Sequence, residues 1–194
     1  VGSEMCIRDR KYGTPPAGNA NYAWILHILN KLNVSRGIAG FLLANGALDD
    51  SDTQEIRKQL IESDKVEAII VLPRNMFYST DISVTLWILN NNKKGGPWHG
   101  RQLRNRTGEI LFIDLRTWNS NIYEKKYVRL AEADIDRVRQ IYFNWQTENF
   151  VEYAESELYY AARRDEIQKK GYSLVPSRYI EFIDLDTEID YQSA

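Results

Sequence analysis

Cysteine is nearly absent. Cys6 stands alone among 194 residues, so no disulfide can form within the chain and no cysteine-rich metal site can be assembled. A reducing, cytoplasmic setting is the expectation that follows. Histidine is almost as scarce: His27 and His99 lie far apart in sequence and carry no zinc-helix spacing. The first reads as a helix residue and the second as a loop residue. Long apolar runs are missing too, since stretches 38–44 and 68–72 fall far below the roughly 18–20 residues that cross a bilayer. No membrane partner is expected. Neither sign of charge is in surplus. The 25 Lys and Arg against 27 Asp and Glu leave −2, which excludes a uniformly basic nucleic-acid coat while allowing a local basic patch. Phosphate-loop fingerprints are lacking, because Gly37-Ile38-Ala39-Gly40 has neither the lysine of a P-loop nor the third glycine of a dinucleotide turn. Asp49 and Asp50 are adjacent, a pattern that in so acidic a chain reads as a solvated turn.

What is present is an ordinary globular composition, 43% hydrophobic and 27% charged, in a length that suits one domain or a compact domain with an appended helical segment. Residues 1–10, VGSEMCIRDR, show neither strand alternation nor a signal-peptide core and read as a non-native leader resembling translated adaptor sequence. Pro15 and Pro16 make a turn, after which Asn19 or Asn21 caps a helix carrying Ala23, Trp24, Ile28, Leu29 and Leu32. The apolar run 37–45 predicts a strand covered on both faces. A helix capped by Ser51 or Asp52, with Ile56, Leu60 and Ile61 on one side, then leads to a second buried strand at 66–72. Beyond Pro73, alternation at Ile82, Val84, Leu86 and Ile88 predicts a strand antiparallel to its predecessor. Another strand follows at Ile110–Leu115, and from Leu130 a helix presents Ile135, Val138, Ile141, Tyr142 and Trp145 on one face. The fold class is α/β, with a leader over 1–10, a sheet-bearing domain over 11–117, a helical extension over 118–180 and an acidic tail over 181–194.

Three stretches could carry function. Residues 90–108 hold Lys93, Lys94, Arg101, Arg104 and Arg106, no acid, and the ring of Trp98. Five cations on a long loop suit phosphate binding, and equally a solubilising insertion. Residues 72–80 follow the carboxyl end of a buried strand, where open parallel sheets place ligand crevices; Phe77 and Tyr78 there either face a ligand or close the edge of the core. Residues 130–166 carry nine acids against four bases, which disfavours DNA. Their aromatics Tyr142, Trp145, Phe150, Tyr153, Tyr159 and Tyr160 suit either a partner protein or the chain's own sheet.

Four blocks taken in order, KYGTPPAGNANYAW at 11–24, GFLLANGAL at 40–48, residues 72–89 and GYSLVPSRYI at 171–180, resemble the modification (M) subunit of type I restriction-modification systems, adenine-specific DNA methyltransferases. The resemblance implies the carboxyl-terminal half of a Rossmann-like methyltransferase sheet followed by a helical extension. It also implies S-adenosylmethionine as methyl donor and, as acceptor, the exocyclic amine of an adenine flipped out of double-stranded DNA. Phe77 occupies the position of the aromatic that stacks on the extruded base, with Tyr78 as second choice; Lys93, Lys94, Arg101, Arg104 and Arg106 would hold the backbone. Specificity and restriction subunits are the implied protein partners. Arg178 would be a buried ion-pair partner or a DNA contact. The glycine-containing donor loop and the Asn-Pro-Pro-aromatic motif of the family do not occur. Pro15-Pro16 follows Gly13-Thr14 and precedes Ala17, matching a separate downstream segment, so this chain alone is expected not to methylate DNA.

Overall fold

The computed structural model describes residues 11–183, Lys125 excepted. The leader over 1–10 and the acidic tail from 184 onward lie outside the described residues. Val66–Val71 forms β2, buried at all six positions, which accounts for its nearly continuous apolar sequence. It lies inside a six-stranded sheet of order β1-β3-β2-β6-β10-β9, with β1 Ile38–Ala44, β3 Val84–Asn90, β6 Glu109–Asp114, β9 Ala154–Glu155 and β10 Tyr159–Arg163. β3 is antiparallel to both β1 and β2, and β2 is parallel to β6. Hence β1, β2 and β6 end on the same side of the sheet, and β3 starts there. That side carries the candidate site.

Helices cover both faces. On one lie α1 Asn21–Lys31 and α2 Gln54–Glu62, whose Tyr22, Ile25, Leu26, Leu29, Ile56, Leu60 and Ile61 join Trp87 and Phe112 in one core. Trp87 and Tyr22 meet edge to face at 6.2 Å. On the other lies α3 Glu132–Thr147, which sends Ile141 and Trp145 against Ala68, Ile70, Leu111 and Ile113. Each such side chain, fully buried, contributes about 1.5–3 kcal/mol of transfer free energy. α2 stops where Asp64 takes φ 55°, a left-handed cap that an aspartate tolerates better than most residues. A short α4, Arg164–Lys169, and a 3₁₀ turn at Pro176–Arg178 close the chain onto the first core, where Tyr179 stacks flat on Phe112 at 4.3 Å.

Several expectations need correction. β1 is an edge strand of the described sheet, exposed at alternate residues rather than covered on both faces; Ile38 and Leu42 are each 45% exposed. The face of α1 is rotated, for Trp24 points outward while Tyr22, Ile25 and Leu26 point in. On α3, Ile135 is exposed. The extension is not purely helical, since β9 and β10 join the main sheet and a small hairpin, β7 Ile122–Tyr123 with β8 Tyr127–Val128, precedes α3. Neither Ser51 nor Asp52 caps α2; Asp50 accepts from the Asp52 amide at 2.9 Å and opens a 3₁₀ turn instead.

The largest correction concerns residues 90–108. They are not a free loop but a hairpin, β4 Gly96–Trp98 with β5 Arg101–Leu103. Gly95 enters it at φ 86°, where a Cβ would sit 2.5 Å from the carbonyl oxygens of Leu103 and Arg104. Arg106 and Glu67 are both wholly buried and paired at 3.2 Å. Lys93 is buried with its Nζ donating to the carbonyls of Val66 and Glu109 at 2.8 and 2.5 Å. Arg104 grips Glu109 with two hydrogen bonds of 3.0 and 2.7 Å. Arg101 lies over the Phe143 ring at 4.0 Å. Of the five bases only Lys94 is exposed. Lys93, Arg104 and Arg106 are therefore held by partners within the fold and are not free cations on a loop.

This cluster sets a pH dependence. Burial pushes the Lys93 ammonium down to about 8, against the pull of Asp64 and Glu67. Between that value and the ordinary lysine range the unfolded chain holds a proton that the folded one does not, so stability rises with pH from about 8 to 10. Burial raises the Tyr22 phenol to about 12, and the hydrogen bond to Glu62 raises Tyr172 to about 12. Above pH 10 the unfolded chain ionises first and stability falls. The urea midpoint should therefore climb and then turn over, and Lys93→Met should flatten the climb. A midpoint equally flat in both proteins from pH 8 to 10 would contradict it.

Candidate functional site

At the carboxyl ends of β1, β2 and β6 the chain encloses a cleft of about 660 Å³. Its wall is built by Asn45 and Gly46 after β1, Arg74 and Asn75 after β2, Ile82 and Ser83 before β3, and Arg116 and Asn119 after β6. A reversal of strand direction beside parallel neighbours leaves loops that diverge, which is why open α/β sheets hold ligands at this end. Hydrogen bonds stiffen the floor. Asn45 donates to Ser83 Oγ at 3.2 Å and accepts from Thr85 Oγ1 at 2.6 Å, and Ser83 in turn donates to the Leu72 carbonyl at 2.6 Å. Asn75 sits at φ 60° and accepts from the Val128 amide at 2.9 Å, which ties the β7–β8 hairpin to the rim.

The electrostatics of the cleft are one-sided. Arg116 is clamped to the buried Asp114 carboxylate, with Nε within 2.9 and 3.0 Å of its two oxygens and Nη2 at 2.6 Å. Those bonds hold the guanidinium charged beyond its ordinary range and aim it at the rim, half-exposed. Arg74 adds a second, exposed guanidinium. Among the described residues no carboxylate lines the cleft. With Arg116 paired to Asp114, Arg74 is the one lining cation outside any ion pair among the described residues, and a concavity offering it together with several amides suits a polar or anionic ligand better than a cation.

Phe77 lies two residues beyond Asn75, half-buried, in a turn closed by a bridge to Thr80. It is not among the residues lining the cleft. Tyr78 is 71% exposed and its ring lies 4.5 Å from that of Tyr127. The predicted site thus divides: Phe77 and Tyr78 stand by the cleft, whereas the 90–108 bases belong to the opposite end of the sheet, where β3 finishes and β6 begins. Arg178 pairs with Asp49 at 2.8 Å on the surface, and Asp49 also meets Arg57 at 3.7 Å. Sequence reasoning missed Arg74, Arg116 and Asn45. Arg116 follows directly on the strand Ile110–Leu115, at the carboxyl end that the crevice rule marks, and could have been found there.

The sequence matches the family model described as N-6 DNA Methylase over residues 3–188. It is 36% identical over 172 residues to the HindI methylase subunit of a type I restriction enzyme from Haemophilus influenzae, an alignment covering 87% of this chain and 35% of that one. It is 34% identical over 180 residues to the MjaIX methylase subunit from Methanocaldococcus jannaschii, covering 90% and 30%. Among solved structures, the type I restriction-modification system methyltransferase subunit from Streptococcus thermophilus shares the fold with a TM-score of 0.71 at 24% identity, over 90% of this chain and 34% of that one. The chain spans about a third of the length of the curated relatives it matches.

Proposed function

The chain belongs to the N-6 DNA methylase family, and from that premise we propose that it forms the base-receiving side of a DNA adenine methyltransferase acting within a type I restriction-modification complex. The observation that carries the reading is the cleft at the carboxyl ends of β1, β2 and β6, whose wall residue Asn75 stands two positions before Phe77 in the chain. An adenine swung out of duplex DNA brings a flat ring and two flanking phosphates. Phe77 stacks on the ring, Arg74 takes a phosphate, and the Asn45–Ser83 floor offers amide and hydroxyl groups to its polar edge. Tyr78 serves the strand beside the base.

S-adenosylmethionine is the family's methyl donor, and the residues described here do not fit it. The donor is a sulfonium cation with an amino-acid end and a ribose; this cleft presents two guanidiniums and no lining carboxylate, and Asp114 is spent on Arg116. No methyl-transfer step is therefore assigned to these residues alone. Binding of a specificity subunit is a second reading, favoured by the outer face around α3, where Ile135, Phe143, Phe150 and Val151 are exposed.

A duplex carrying a mismatched 2-aminopurine tests the proposal, since the mismatch lowers the cost of extrusion. Binding should change the emission of the probe in wild type and in Phe77→Tyr. In Phe77→Ala the extruded population should fall about tenfold, in keeping with about 1–3 kcal/mol for base stacking. An Ala variant with an unaltered emission change would make Phe77 a core-edge ring and sink the reading.

A further inference from the structure

Beside the cleft rises a small ridge that neither core needs. β7 and β8 pair through Tyr123 and Tyr127. Tyr123 is 39% exposed and Tyr78 71%, although an isolated tyrosine ring gains most by being covered. Arg129 lies over the Tyr123 ring at 4.3 Å and Lys126 over Tyr127 at 4.9 Å. Neither cation, nor Arg74, takes part in any ion pair among the described residues. This contrasts with the bases of 90–108, most of which are spent inside. Glu124, at the hairpin turn with φ 48°, is the one acid in the hairpin.

We propose that Tyr78 and the 122–128 hairpin form a stacking and phosphate-binding ridge for the DNA strand that flanks the extruded base. Exposed rings interleaved with unspent cations give unpaired nucleotides a π-face and their phosphates a charge, a combination that tolerates any sequence. The exposed Lys126 points the same way, since lysine is depleted from protein–protein interfaces and is a natural partner of phosphates. Position supports the same occupant. The hairpin is bonded to Asn75 through the Val128 amide, and both residues line the cleft, so a strand whose base enters the cleft passes over the ridge. Because everting a base ends its stacking on both neighbours, a second aromatic platform next to Phe77 in the chain would hold what the duplex has released. The inference rests on the base-receiving reading of the cleft and adds a surface to it.

The test uses the whole chain with the mismatched 2-aminopurine duplex, measuring affinity by anisotropy across a salt series and base extrusion by emission. Tyr123→Ala should weaken binding about tenfold or more, and Arg129→Gln should lower the slope of log affinity against log salt by about one. Lys126→Gln repeats the second measurement at an exposed side chain whose loss cannot unfold the chain. Phe77→Ala should instead lose the emission change while keeping most of the affinity. If the three hairpin variants bind like wild type while Phe77→Ala still loses its signal, the ridge is overturned, the cleft reading stands, and the hairpin is free to meet protein. If wild type neither binds the duplex nor alters its emission, both fall.

Discussion

Replacing Arg106 by methionine is expected to cost about 3–5 kcal/mol at pH 7, far more than an exposed arginine would. The substitution keeps the alkyl volume and removes the charge opposite Glu67, whose side chain is wholly buried. Gln146 Nε2, at 3.0 Å from Glu67 Oε1, is then the remaining hydrogen-bond donor to that carboxylate, and its Oε2 has no partner even in the wild type. Arg106 also supports the hairpin, donating to the carbonyls of Arg104 at 2.7 Å and Asn92 at 3.1 Å. Adding Glu67→Gln to Arg106→Met should recover most of the loss, leaving the double variant within about 1–2 kcal/mol of wild type. Urea unfolding followed by tryptophan fluorescence measures all three. A single variant that loses under 1 kcal/mol would mean that the pair is solvated, contrary to its burial.

That pair also explains where sequence reading stopped. Counting charges along 90–108 finds five bases and no acid, so a basic loop is what a local window must report. The acids that neutralise it are Glu67, Asp64 and Glu109, two of them on or before β2 and one just past the window; only the sheet brings them together. β1 failed for a related reason. An apolar run reads alike whether a strand is central or at an edge, since the pattern records side-chain faces and not the hydrogen-bonding neighbours of the backbone. β2, β3 and β6 were legible because each is short, apolar and bounded by turn residues, and the reversal at β3 followed from the short connection after Pro73. At the site, the crevice rule found the 72–80 segment and with it Phe77. It could not show that Asn45 meets Thr85 across 40 residues, nor that Tyr127, on a two-residue strand, would come to rest beside Tyr78.

Trp145→Ala is the second large effect, again about 3–5 kcal/mol, and it decides what α3 is for. The aromatics of 130–166 suited either a partner protein or the chain's own sheet. Trp145 is wholly buried in the core with Ile70, Leu111 and Ile113, so for this ring the sheet has won. Its environment is more than apolar. Nε1 donates to Glu109 Oε2 at 3.2 Å, its carbonyl accepts from Arg104 Nε at 2.6 Å, and the Arg104 and Arg106 guanidiniums lie 5.5 and 5.8 Å from the ring. Trp145→Phe separates these contributions. It keeps most of the volume and removes one donor from a carboxylate that Arg104 still grips twice, so it should cost about 1–2 kcal/mol. The alanine variant leaves a cavity between helix and sheet as well. Hydrogen exchange then reads the consequence locally, with α3 amides losing protection well before those of β2 and β6. Equal losses in the two variants would show that the hydrogen bond, and not the packed ring, fastens the helix.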